Sequence, residues 1–168
     1  MAIEDFFERF LTPKERARAT SELASRGADA LPVLEALFSG QAKNERGVPY
    51  LSLWMAVDCG LVAAARLGAL AKPLEAHLRA ALRQGHHYAA PALGALGSLD
   101  EESIVALARA LDDGKIDMAF ESAFALIRCD ALQHASVKQI VSKSSGAAKT
   151  LERVSKWVAK HQLPNQPT

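Results

Sequence analysis

No segment of this sequence alternates apolar and polar residues with a period of two for long enough to propose a strand, which argues against any sheet-based fold. Aromatic residues occupy only 6% of the 168 positions. Alanine and leucine are abundant instead, a combination that favours packed helices. Cysteine occurs twice, as Cys59 and Cys129, far apart and without CxxC spacing. The pair reads as two buried, reduced thiols, joined only if the fold brings them together. Neither sign of charge dominates: a net charge of +1 gives no global drive toward nucleic acid or an anionic membrane. The opening "MAIEDFFERF" lacks the basic start and apolar run of a secretory signal, so the expected location is cytoplasmic. The most apolar stretch, "VPYLSLWMAVDCGLVAAA", is interrupted by Asp58 and Gly60 and reads as a buried helix rather than a membrane span. GxSxG, GxxxxGK[ST] and a helix-opening GxGxxG are missing, and neither cysteine has an arrangement suggesting a nearby base. No catalytic residue, cofactor or metal is therefore expected.

Apolar residues recur with helical period almost throughout. The first helix spans 2–11 and uses Ile3, Phe6, Phe7 and Phe10. "TPKE" predicts the next helix start, with Thr12 as cap, Pro13 in the first turn and Glu15 closing a capping box; Gly27 stops that helix. A third helix covers about 29–39, with Pro32 in its first turn. Beyond the polar connection "SGQAKNERGVPY", helices are predicted near 49–67, 72–84, 87–97, 99–112, 116–129, 133–143 and 147–161. Ser98 and Glu101 suggest a second capping box.

Helices this short, joined by short turns, must bury their stripes against sequence neighbours. "HLRAALRQG" at 77–85 aligns with "ALARALDDG" at 106–114, an offset of 29, and "VLEALFSGQ" at 33–41 is a weaker echo. The helices that follow, "YAAPALGALGSL" and "MAFESAFALIRCDAL", correspond in the same way. Each unit is two helices that share one continuous core when stacked. The fold class predicted is all-α, an α-solenoid of about four to five stacked antiparallel helix pairs. One domain spans 1–162: N-terminal cap helices over 1–27, repeats over 28–132 and a basic C-terminal cap over 133–162, with 163–168 a frayed tail.

The stretch "LRAALRQGHHYAAPALGALGSLDEESIVALARALDDGKIDMAFESAFALIRCD" resembles HEAT-like repeats, including the short bacterial type of phycobilin lyases, over about 30–132. It departs from that family between the two helices, where Asp followed by Val-Arg is usual. Gln84-Gly85-His86-His87 and Gly114-Lys115-Ile116-Asp117 stand there instead, so the usual Asp–Arg ladder is weakened. The resemblance implies a shape rather than an activity.

His86 and His87 fall in an inter-helix turn. Neighbouring side chains point about a hundred degrees apart around a helix, which suits a solvent-facing turn or a recognition pair better than a shared metal ion. Trp54 and Asp58, four apart, resemble the aromatic–acid pairs of HEAT-like DNA glycosylases. The reading preferred is a structural tryptophan beside a solvated or capped aspartate. Asp112, Asp113, Asp117 and Glu121 form an acidic run. If second helices line a concave face, the partner-binding residues are Tyr50, Trp54, Asp58, His87, Tyr88, Asp113, Asp117 and Glu121, and an acidic, aromatic-bearing wall suits a basic protein. Lys149, Arg153, Lys156 and Lys160 follow one face of the last helix, opposite Leu151, Val154 and Val158, as expected of a solvated cap. The function expected is a non-catalytic protein-binding module, an immunity-type inhibitor of a toxin or enzyme, or an adaptor. The alternatives are a phycobilin-lyase-like enzyme or chaperone, and a HEAT-like nucleic-acid glycosylase.

Overall fold

A computed structural model describes residues 3–113 and 115–161; the predicted tail at 163–168 and Gly114 lie outside the described residues. The described chain is all-helical, with α1 (Ile3–Leu11), α2 (Arg16–Ser25), α3 (Leu31–Phe38), α4 (Trp54–Leu67), α5 (Glu75–Arg83), α6 (Ala89–Ala95), α7 (Glu101–Ala110), α8 (Ile116–Arg128), α9 (Ala135–Lys143) and α10 (Ser145–His161). Short 3₁₀ segments at Gly27–Ala30, Tyr50–Ser52 and Gly68–Leu74 lead into α3, α4 and α5. A lone antiparallel bridge between Lys43 and Pro49 closes the polar connection.

The predicted helices are present, but several starts are shifted by a few residues, the fourth helix beginning at Trp54 rather than near 49, and two predicted caps are not made. Thr12 does not cap α2: its hydroxyl donates back to the Glu8 carbonyl, prolonging the end of α1, and α2 begins at Arg16 without a side-chain cap. The cap of α7 is Asp100, not Ser98, with the Asp100 carboxylate accepting from the Ser103 amide at 2.6 Å. Asp100 is also held by Arg79 at 2.7 Å, and its own amide donates to the buried Glu75 carboxylate. Burial pushes the Asp100 carboxyl up, but the bonds from Ser103 and Arg79 outweigh that and leave it below the ordinary range. Arg79 reaches Glu102 as well, at 2.9 Å. These pairs tie α5 to α7.

Two rows result. In one, α2 packs on α4, α4 on α6, α6 on α8 and α8 on α10; in the other, α5 packs on α7 and α7 on α9. Consecutive helices α3 and α4, α5 and α6, α7 and α8, and α9 and α10 join the rows. Phe6, Phe7 and Phe10 of α1 pack into the same core as Leu34, Leu61, Leu78, Leu93 and Leu107. The run Trp54–Arg83 is apolar enough to cross a membrane by length and composition, yet Gly68 (φ 59°) and Pro73 break it and 56% of its apolar window is buried in this core. Cys59 and Cys129 are both free thiols.

Alanine and glycine set the spacing of the first row. A Cβ at Gly94 would sit 2.9 Å from Cα of Ala125, so α6 and α8 meet backbone to backbone there. At Gly60 the added atom would meet the end of the Leu37 side chain instead. Replacing a helical glycine by alanine recovers about 1 kcal/mol of propensity. Backbone cannot move aside as a leucine methyl can. Gly94→Ala is therefore expected to lower stability by about 1–3 kcal/mol and Gly60→Ala by less, as urea unfolding would measure.

Candidate functional site

The starts of α4, α6 and α8 lie along one edge of the first row, and the residues there come from three turns. Leu53 is extended (φ −100°, ψ 102°), which makes Trp54 the first helical residue of α4. After α5, Gly85 takes φ 93°, its amide donates to Leu82 and the His86 amide to Ala81. This left-handed helix ending folds the residue after glycine back over the helix it terminates. His86 is thus carried inward and is only 3% exposed, which corrects the expectation of two solvent-facing histidines. His87, one residue on, is exposed.

Asp58, one turn into α4, is buried as well, and its Oδ1 lies 2.8 Å from His86 Nδ1. The aspartate is neither solvated nor a helix cap. Trp54 stacks on His86 with ring centroids 3.7 Å apart and remains 52% exposed. Trp54, His86 and Asp58 form a column from solvent to core that pins the α6 turn to α4. The carboxylate fixes which imidazole nitrogen carries its proton, as in many acid–base dyads. Among the described residues, no hydroxyl or thiol hydrogen-bonds to His86. Both thiols are pushed up chiefly by burial, which keeps them protonated.

The remaining predicted residues divide between surface, core and the far side. Tyr50 is a correction: it is 1% exposed, packs on Phe7 at 4.9 Å and donates its hydroxyl to Glu8, so it contributes nothing to a surface. Tyr88 is 40% exposed and its ring lies 4.1 Å from that of His87. Asp113 opens on the other row, beside Arg83 and Arg109 between α5 and α7. Asp117 borders a depression of about 500 Å³ with His87, Lys115 and Ile116. Glu121 follows one turn later, half-buried; burial first, and then Asp117, push its carboxyl above the ordinary range, while His87 pulls it down. The acids therefore do not form one wall: Asp117 and Glu121 remain on this edge, interleaved with His87 and Lys115.

Ile116, 79% exposed, stands out most and was not among the expected site residues. Its signal in the sequence was an isoleucine opening a helix just after a polar turn. The His86–Asp58 contact had two signals, an acid inside an apolar helix and a histidine following a helix-ending glycine. Among the described residues, no group of three His, Cys, Asp or Glu side chains is placed to hold a metal ion. Comparison of the chain with family models, curated proteins and solved structures finds no match.

Removing Asp58 leaves a buried imidazole without its acceptor. Asp58→Ala is expected to cost about 3 kcal/mol, measured by urea unfolding, and in a Trp157→Phe background to raise Trp54 emission as the stack on His86 loosens. Glu121 holds its proton more tightly folded than unfolded, so stability falls as pH rises from the ordinary carboxylate value of 4.5 through the raised folded value. Glu121→Gln should then stabilise the protein at neutral pH, with the gain vanishing below pH 4.5. Melting temperatures across that window check the sign.

Proposed function

We propose that the protein is a binding module without chemistry of its own: an α-solenoid of HEAT-like helix pairs that grips another protein along the edge formed by the starts of α4, α6 and α8. Supporting the solenoid reading are the two rows, in which each helix packs on its second neighbour in sequence. The observation that carries the binding reading is the line of exposed Trp54, Tyr88 and Ile116 at three successive helix starts. Large side chains held at the ends of packed helices lose little freedom on binding, and such anchors dominate interface energies. Asp117 and Glu121 beside Ile116 favour a partner carrying basic groups at that end. An immunity-type inhibitor that blocks a toxin or enzyme, or a cytoplasmic adaptor, fits such a surface. The glycosylase alternative is weakened because Asp58 is buried and engaged by His86, leaving no free carboxylate beside Trp54 for a base or sugar.

Affinity capture from the native cells, read by mass spectrometry, tests the reading. A partner retained by the natural chain should be lost from Trp54→Ala/Tyr88→Ala/Ile116→Asp by about tenfold or more, with the helical circular dichroism unchanged. Equal capture by both proteins would contradict it.

A further inference from the structure

A groove on the opposite side of His87 has a different character from the acidic end of this edge. It runs between α2 and α4, has a volume of about 420 Å³ and is closed at one end by His87 and Tyr88. Its two walls are single helix faces. From α4 come Met55, Asp58, Cys59, Val62 and Arg66, and from α2 come Arg16, Ala17 and Thr20, with Pro13 in the turn before it. Each set recurs at spacings of three and four, the stripe a helix offers to another helix packed along it. The α4 wall alone covers eleven residue steps, about 16 Å at 1.5 Å per residue.

The floor and the charges agree on what fits there. Thr20 and Cys59 are small and buried, and Ala17 carries only a methyl group, so a partner backbone can come close; Met55 and Val62 are part-exposed apolar contacts. Arg16 donates Nε–H to the Phe10 carbonyl at 2.9 Å, and Arg66 donates to Ser21 Oγ at 2.6 Å. Neither guanidinium has a carboxylate within salt-bridge distance among the described residues. The carboxylate in the lining, Asp58, is engaged by His86. Two uncompensated cations thus flank an apolar trough.

We infer that this groove receives an amphipathic helix of a partner protein, with its apolar stripe on Met55, Val62 and Ala17 and its flanking carboxylates on Arg16 and Arg66. The inference deepens the binding reading by giving this part of the surface an acidic helical partner segment, in contrast to the basic one favoured near Asp117.

The test uses two synthetic peptides of about four helical turns, with leucine at i, i+3, i+4 and i+7 and either glutamate or lysine on the flanks. Calorimetry should show the glutamate peptide binding about tenfold or more tightly than the lysine peptide, with the difference shrinking as salt is added. Amide shifts in nuclear magnetic resonance spectra should cluster at Ala17, Thr20, Cys59 and Val62. Arg66→Glu, which leaves one cation and one anion beside the trough, should remove most of the preference, and Ala17→Trp, which fills the trough from an exposed position, should abolish binding of both peptides. Equal affinity for the two peptides, no binding, or shifts clustered outside the groove would each overturn the inference. If Ala17→Trp leaves a natural partner bound while Trp54→Ala/Tyr88→Ala/Ile116→Asp releases it, the groove proposal falls and the binding reading stands.

Discussion

Everything in this molecule depends on helices too short to persist alone sharing their apolar faces. Seven of the ten described helices run ten residues or fewer, below the length at which an isolated helix is more than marginal in water. Their stability must come from neighbours, and the contact of α6 with α8 is the most demanding one because backbone meets backbone at Gly94 and Ala125. Close approach requires small residues, so the first row is rich in alanine: Ala63, Ala64, Ala89, Ala90, Ala92, Ala123 and Ala125 are all essentially buried. Large apolar residues such as Leu34, Leu78, Leu93 and Leu107 are buried in the same core.

Such packing fixes the helix starts as a rigid edge, and the turns decide what that edge displays. Gly85 is the clearest case. Its left-handed conformation carries His86 under Trp54 and onto Asp58 while leaving His87 and Tyr88 outside. A buried polar pair of this sort contributes little net stability compared with an apolar packing of equal volume, but breaking it is costly. It holds one arrangement of the turn, and with it the position of the aromatic side chains on either side.

Much of the architecture was legible in the sequence because it follows from local rules. Helical period and the glycine stop at Gly27 point to packed short helices, and the repeat at 77–85 and 106–114 points to their pairing. The two caps were misplaced for a common reason. Thr12 and Ser98 are good capping residues, but Asp100 offers an ionised acceptor that Arg79 and Glu75 also hold in place, and α1 claims the Thr12 hydroxyl. Those competitors lie elsewhere in the chain or in the preceding helix. The candidate surface was less legible still. Tyr50 carries a hydroxyl and looks displayable, yet Phe7 and Glu8, more than forty residues away, draw it inside. The stripes on α2 and α4 that meet in one groove are individually ordinary, and only their packing brings Arg16 and Arg66 to the same trough.

Native-state hydrogen exchange of the free protein tests the shared-face account most directly. In a stack where each helix is held by its neighbours, protection is greatest in the middle and falls toward both ends. The account predicts that the amides of α4, α6 and α8 exchange slowest and those of α1 and α10 fastest among the helices. Highest protection at one end, or two halves that open independently with separate free energies, would contradict it.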